Sequence, residues 1–416
     1  MEKKVLVIGG GGRCHAIVDA LSRSPKVGKI FCAPGNAGIA AQAECVPIRV
    51  SDVDALLKFA KENEIDLTVV GPEASLAAGI VDLFRAEGLK IFGPTKGAAR
   101  IESSKEFAKD LMKRHGIPTA AYRVFSDFKE ALEYVKAGPE PVVIKYDGLA
   151  AGKGVVVALT HAEAEDALRE MLVDKVFGDG RVVIEEFLDG PEFSFMCLVN
   201  GTKVYPLDIA RDHKRAYDND CGPNTGGMGA YSPVPFVTEE VRRQALETII
   251  KPTAAAMALE GEPFTGVLYG GLILHKGTPK VIEFNARFGD PETEVVLPRL
   301  KSDFYDFIMA AVDGEDFTPE WSRDFMLGVV MAAEGYPGCY AKGHKIRGLE
   351  KLDSDVNKVY HMGTVLKDCE LLSSGGRVLM VLGQGGSLPE ARRSAYAALS
   401  QIDADSLFNR TDIGSK

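Results

Sequence analysis

The chain has 416 residues, 46% hydrophobic and 26% charged, enough apolar material for about two to four folded units rather than a disordered tail. It carries 49 basic against 59 acidic residues, a net charge of −10, and no basic tract, which argues against a general nucleic-acid or membrane-surface binder. A phosphorylated small molecule remains compatible, because a few local lysines suffice to hold one.

Seven cysteines, at positions 14, 32, 45, 197, 221, 339 and 369, form no C-x-x-C pair and fit reduced thiols better than a disulfide framework. The apolar run in MEKKVLVIGG is too short for a signal peptide, and no stretch approaches the roughly 18 apolar residues of a membrane span. A soluble, cytoplasmic protein is expected.

Along the first hundred residues, short apolar runs (Val5 to Ile8, Ile30 to Ala33, Leu67 to Val70, Ile91 to Phe92) alternate with amphipathic stretches at Val53 to Lys61 and Leu76 to Ala86. That alternation predicts a parallel sheet with covering helices. A helix is expected over Ser104 to His115, ended by Gly116-Ile117-Pro118. Strands follow at Val142 to Lys145, Val155 to Ala158 and Val182 to Glu185, with a helix near Ala162 to Leu172. Longer strands at Phe193 to Leu198 and Lys280 to Phe288 flank a Pro-rich loop (231–236) and a helix from Glu239 to Ile250. A last mixed unit has strands near Leu327 to Ala332 and Val378 to Leu382 and a helix at Leu388 to Leu399. The fold class is therefore α/β with α+β units: an N-terminal parallel-sheet domain, mixed central domains and a small mixed C-terminal domain.

Three glycine-rich segments are candidate phosphate sites. VLVIGGGGRCHAIVDAL puts Gly9 to Gly12 between a strand and a helix, where bare amides and the helix N-terminus favour an anion. It fails as a dinucleotide fingerprint, because Cys14 stands where G-x-G-x-x-G needs its third glycine. KYDGLAAGKGVVVA frames Lys153 with Gly148, Gly152 and Gly154, but Gly154 follows the lysine, so it is not a P-loop. CGPNTGGMGAYSP (221–233) reads as a long loop with few apolar side chains, the kind usually kept for a site. The charged run Asp212 to Arg215 precedes it and has a solvated face as its plain alternative.

In VIEFNARFGDPE (281–292), period-two alternation points Val281, Glu283, Asn285 and Arg287 to one face and the apolar Ile282, Phe284, Ala286 and Phe288 to a core. Glu283 and Asn285 offer the partial hard-oxygen shell that Mg²⁺ completes with nucleotide phosphates and water. Arg287 is placed for an anionic group or a transferring phosphoryl, and the turn carries two further carboxylates, Asp290 and Glu292.

These residues resemble the ATP-grasp ligases. APGNAG (33–38), VGPEASL (70–76), IFGPTKGAA (91–99), DGLAAGKG, DHKRAYDNDCGPNTGGMGAYSP and EFNARFGDPET resemble, more closely, the phosphoribosylamine–glycine ligase family, and GGRVL and DIG (412–414) continue the likeness. The resemblance implies ATP-dependent joining of glycine to 5-phosphoribosylamine through an acyl phosphate, in purine biosynthesis, by a cytoplasmic monomer without a nucleic-acid or membrane partner. It implies an N-terminal substrate domain (1–104), an ATP-grasp domain (105–320, with a lid at about 122–190 and a larger part at about 191–320) and a C-terminal domain (326–416).

By the same resemblance Lys105, Lys145, Gly152, Lys153, Gly154, Glu185, Phe187, Leu188 and Glu192 would serve ATP, and Glu283 and Asn285 would hold Mg²⁺ or Mn²⁺. Asp212, Lys214 and Arg287 would be catalytic. Gly10, Gly11, Gly12, Arg13, Asn36, Pro72, Glu73, Asn224, Asp290, Pro291 and Glu292 would bind the substrates.

The chain departs from the family where Cys14 replaces the glutamate of G-R-E-H-A, leaving an exposed thiol as one expectation. Tyr146 precedes Asp147 in place of a small residue, and Cys221 replaces a threonine. Two other readings stay open: an ATP-grasp ligase for another acid, and a silent nucleotide-binding homologue. A dehydrogenase is the more distant alternative.

Overall fold

In the computed structural model, residues 2–148, 154–352 and 357–415 are described. The apolar runs of the first hundred residues form a five-stranded sheet in the order Glu44–Cys45, Val27–Pro34, Lys3–Gly9, Leu67–Val70, Ile91–Phe92, parallel at every pairing. Val5 to Ile8 are fully buried, as a strand covered on both faces requires. The chain runs outward from the first strand in one direction and then, after Val53–Glu62, in the other. The sheet order therefore reverses between Lys3–Gly9 and Leu67–Val70, and such a switch point opens a crevice at the strands' carboxyl ends. Gly10 to Arg13 and Pro72-Glu73 leave the sheet there. The helix expected over Leu76 to Ala86 is two helices, Glu73–Ala77 and Ile80–Ala86, broken by Gly79 at φ +89°.

Ser104 caps the helix Lys105–Arg114 by accepting from the Phe107 amide at 3.2 Å. The next unit is an antiparallel sheet ordered Tyr122–Phe125, Val182–Glu186, Val142–Tyr146, Val155–Ala158, with Phe128–Ala137 and His161–Leu168 packed on its core. A second antiparallel sheet, ordered Lys203–Pro206, Glu192–Asn200, Thr265–His275, Thr278–Asn285, faces it across a cleft.

Gly229–Ser232 and Arg211–Asp212, expected in loop or charged-run contexts, are strands of the C-terminal sheet, whose order is Arg211–Asp212, Gly229–Ser232, Phe325–Ala333, Arg377–Gly385, Val359–His361. Gly229 at φ +159° lies so close to Gly328 O that a Cβ would sit 2.7 Å from it, and Tyr231 is buried, so small and aromatic residues serve one tightly packed strand. Segment 211–232 is thus built into a sheet with residues from beyond 325.

The alternation expected along 281–288 is broken by a register shift. Gly271 pairs with Glu283 but Leu272 pairs with Val281, so Ile282 is the extra residue of a bulge. Val281 is buried in the core, whereas Ile282 packs beside Leu188 and Ile273 on the cleft wall. Glu283 and Asn285 still face the cleft. No helix of the described residues is long and apolar enough to cross a membrane.

Candidate active site

A cavity of about 650 Å³ lies where the N-terminal crevice, the two antiparallel sheets and the C-terminal sheet meet. One end is apolar, lined by Ala108, Met112, Val143, Leu188, Ile273 and Ile282. The chain enters this wall through Gly190, at φ +149°, where a Cβ would overlap Leu274 O, so the crossing between the two sheets depends on a residue without a side chain.

Next come the lysines. Lys145 Nζ lies 2.9 Å from Glu185 Oε1 and donates to Ile282 O at 3.0 Å. Lys109, unforeseen from the sequence, holds the other oxygen, Glu185 Oε2, at 2.8 Å and Thr119 Oγ1 at 2.7 Å. Burial pulls the Lys109 ammonium down to about 8, against the attraction of Glu185. Asp147 Oδ1 accepts from the Lys105 amide at 2.7 Å, fixing the helix start, and Lys105 Nζ donates to Gly148 O at 3.0 Å. Burial also lowers the Lys105 ammonium.

Glu283 is surrounded by these cations: burial pushes its carboxyl up, but Lys214, Lys145, Lys105 and Arg287 together hold it below the usual range. Lys214 donates to Glu192 Oε2 at 3.0 Å and is held well above its ordinary value by Glu192, Asp212 and Glu283, despite burial. Burial, with Glu292 and Glu192 nearby, raises Asp212 to about 7 in spite of Lys214.

The far end is built from arginines and carboxylates. Arg287 donates to Asn285 Oδ1 at 2.9 Å and lies 3.2 Å from Glu102 and 3.6 Å from Glu73. Burial opposes its charge, but the two carboxylates raise it above its ordinary value. Arg13 donates to Gly71 O and Phe288 O at 3.2 and 3.0 Å and approaches Asp290 at 3.5 Å. Arg377, from the C-terminal sheet, pairs with Asp290 Oδ1 at 2.9 Å and donates to Gly226 O at 2.7 Å. Glu292 is buried and accepts from Ser194 Oγ at 2.9 Å and from the Tyr269 hydroxyl.

Of the residues singled out from the sequence, Arg13, Glu73, Lys105, Lys145, Gly154, Glu185, Phe187, Leu188, Glu192, Asp212, Lys214, Asn224, Glu283, Asn285, Arg287, Asp290 and Glu292 line this cavity. Gly152 and Lys153 lie outside the described residues. Gly10, Gly11, Gly12, Pro72 and Pro291 do not line it. Asn36 is occupied elsewhere: its Nδ2 donates to Gly10 O at 2.9 Å and His361 O at 2.7 Å, and its Oδ1 accepts from the Gly38 and Ile39 amides.

Cys14 is not an exposed thiol. It is buried against Gly9 and Gly71, and burial pushes its thiol up to about 12. Tyr146 points away from the cavity, its hydroxyl donating to Asp179 O at 3.2 Å and its ring packing on Phe177. Lys109, Glu102, Tyr269 and Arg377 were missed. Only Arg377 carried a signal, inside GGRVL.

The chemistry of the donor set fits a divalent cation. Glu283 and Asn285 bring a carboxylate and a carboxamide oxygen to one cavity wall, hard donors of the kind Mg²⁺ takes alongside phosphate and water. Among the described residues no group of three or more His, Cys, Asp or Glu side chains is gathered for a metal. An apolar slot, a lysine cluster and a partial oxygen shell between two antiparallel sheets define the ATP-grasp class of ligases.

Models of the phosphoribosylglycinamide synthetase N domain, ATP-grasp (A) domain and C domain match residues 3–102, 103–293 and 326–416. The chain is 54% identical over 414 residues to the phosphoribosylamine–glycine ligase of Halalkalibacterium halodurans, covering 99% of this chain and 96% of that protein. It is 53% identical to that of Salmonella typhimurium, covering 99% and 98%. The crystal structure of the Thermotoga maritima phosphoribosylamine–glycine ligase superposes with a TM-score of 0.88 at 35% identity, covering 99% of this chain and 100% of that one. A biotin carboxylase domain from Hydrogenobacter thermophilus, in complex with MgADP, shares the fold at a TM-score of 0.72 and 18% identity, over 98% and 92% of the two chains. The chain belongs to the phosphoribosylamine–glycine ligase family.

Proposed function

We propose that the chain joins glycine to 5-phosphoribosylamine at the expense of ATP, giving glycinamide ribonucleotide, ADP and phosphate. A carboxylate is a poor electrophile. The γ-phosphoryl of ATP is first transferred to the glycine carboxylate, the amine then attacks the acyl carbon, and phosphate leaves with its bonding electron pair as the amine nitrogen loses a proton. No protein nucleophile enters either step, so catalysis rests on positioning and charge.

The assignments follow the cavity from end to end. The apolar slot with Phe187 and Leu188 takes adenine, and Lys105 and Lys145 take the phosphates, with Gly152, Lys153 and Gly154 as further phosphate contacts. Glu185 holds Lys145 in place. Glu192, paired with Lys214, borders the ribose. Glu283 and Asn285 would hold Mg²⁺ or Mn²⁺, which when bound supplies charge neutralisation at the phosphoryl oxygens. Arg287, Lys214 and Asp212 orient the glycine carboxylate and the moving phosphoryl group. Asn224 and the Asp290-Pro291-Glu292 turn surround glycine beside them, and Arg13 and Glu73 form the end for phosphoribosylamine, with Gly10 to Gly12 and Pro72 shaping the backbone behind and Asn36 bracing that loop.

The units 1–104, 105–320 and 326–416 act together on this one cavity, in a monomer. The seven unpaired cysteines suit a reducing cytoplasm.

The observation that carries this reading is the run from apolar slot through lysines to a switch-point loop bearing Arg13 and Glu73, all on one cavity. ADP release with phosphoribosylamine, measured with and without glycine, tests it. Release that depends on glycine is expected. Release that answers to another acid, or ATP binding without turnover, defeats it.

A further inference from the structure

Glu294, on the short helix Thr293–Val296, is fully buried, and neither of its carboxyl oxygens meets a hydrogen-bond donor. It does not line the cavity. Its carboxyl presses on Gly12, where a Cβ would overlap Oε1, and the Asp290 carboxyl stands beside the preceding residue, Gly11, its Oδ2 3.4 Å from where a Cβ would be. Two buried carboxyls brought to the same glycine turn cannot both carry charge without strong repulsion, and sharing a proton relieves it.

Asp290 already receives the Arg13 amide at 3.2 Å, with the Arg13 guanidinium at 3.5 Å and that of Arg377 at 2.9 Å. Its charge is matched by two guanidinium groups, while that of Glu294 would have no ion-pair partner and only its own backbone amide nearby, at a strongly unfavourable burial. The groups facing Glu294 are Arg13 and Cys14 from the helix Gly12–Ser22, Asp290 from the turn, Arg377 from the C-terminal sheet and Tyr360 from the strand Val359–His361. None of them supplies it with a hydrogen-bond donor.

We propose that Glu294 is a neutral carboxylic acid that donates its proton to the Asp290 carboxylate and so positions Arg13 and Arg377 at the amine-substrate end of the cavity. Burial and the Asp290 charge raise the Glu294 carboxyl well above the usual range, while Asp290 is lowered by Arg377 and Arg13 against its own burial. Glu294 is a positioning residue that acts through Asp290. Gly12 is required beside it, because any side chain there would displace the acid. The role in substrate binding rests on the proposed function; the protonation state does not.

The test uses the full-length enzyme and its Glu294→Gln and Glu294→Ala variants. Infrared spectra of the substrate-free protein are expected to show a carboxylic-acid carbonyl band at neutral pH that Glu294→Gln removes. In steady-state assays, Glu294→Ala is expected to raise KM for phosphoribosylamine about tenfold to a hundredfold with a smaller change in kcat and in KM for ATP. Glu294→Gln, which keeps a neutral donor, is expected to restore KM to within about threefold of wild type.

Absence of the band, a Gln variant as impaired as the Ala variant, or an Ala variant with unchanged KM would overturn the proposal. Thermal melts of both variants separate loss of fold from loss of position. Should the wild type itself show no glycine-dependent turnover, the function reading falls, and the band still decides the state of Glu294.

Discussion

The two ends of the cavity balance charge in different ways. At one, Lys105, Lys109, Lys145 and Lys214 share Glu185, Glu192 and Glu283, and burial depresses Lys105 and Lys109. At the other, Arg13, Arg287 and Arg377 are already matched by Glu73, Glu102 and Asp290. Lysine is a compact charge on a flexible stem and arginine a planar fork that holds carboxylates in fixed geometry. The lysine end is therefore incomplete until an anion arrives, and suits a polyphosphate that comes and goes. The arginine end is organised beforehand, and suits orienting small polar substrates.

The largest effect should fall where the two ends meet. Glu283→Ala is expected to lower glycine-dependent ADP release on the order of a thousandfold, since it removes half of the protein's oxygen shell. The melting temperature should change little. A variant that turns over at the wild-type rate would break the division into two ends.

Glu185→Ala should act on stability instead. It strips two buried lysines of their shared carboxylate, and urea unfolding should show a loss of about 3 kcal/mol. An unchanged midpoint would mean that the lysine end tolerates bare charge.

A smaller effect lies behind the arginine end. His15 is buried, accepts the His361 amide at Nδ1 at 2.9 Å, and is pulled down to about 3 by burial, with His361 and Lys358 adding to the shift and Asp19 opposing it. The folded protein keeps it neutral, whereas the unfolded chain takes up a proton near pH 6.5. Its contribution is therefore complete above about pH 6.5 and declines as the pH falls, by about 2 kcal/mol at pH 5. Melts of wild type and His15→Gln across that range check this, and parallel curves would refute it.

The smallest effect is no effect. In the native protein a thiol reagent should label the exposed Cys221, Cys339 and Cys369 and spare Cys14, as peptide mapping would reveal.

Much of the lysine end was legible in the sequence because its signals are local. Lys105 follows a helix cap, Lys145 ends an apolar strand, and Glu283 and Asn285 alternate along another. Even there the bulge at Ile282 has no local signal, since a register shift is a property of two strands and the run 281–288 is only one of them. The arginine end was legible only in part. Arg13, Arg287 and Asp290 carried motifs, but Arg377 reaches Asp290 from 87 residues away, and Glu294 looks like any acid on a short helix until its burial is known. Lys109 sits on a helix face that sequence alone would leave in solvent, and the nearby apolar pattern gives no hint of its partner Glu185, 76 residues on. Cys14 shows the converse: a polarisable side chain between Gly9 and Gly71 is a packing element, which no pattern of neighbours announces.

The strand Gly229–Ser232 pairs with Phe325–Ala333 from Gly229↔Val329 to Ser232↔Met326. A fragment starting near residue 326 would therefore leave an apolar β-edge without its neighbour, an invitation to intermolecular pairing and precipitation. Attempts to express the tail separately should carry the 211–232 segment along, grafted or co-expressed, if they are to stay in solution.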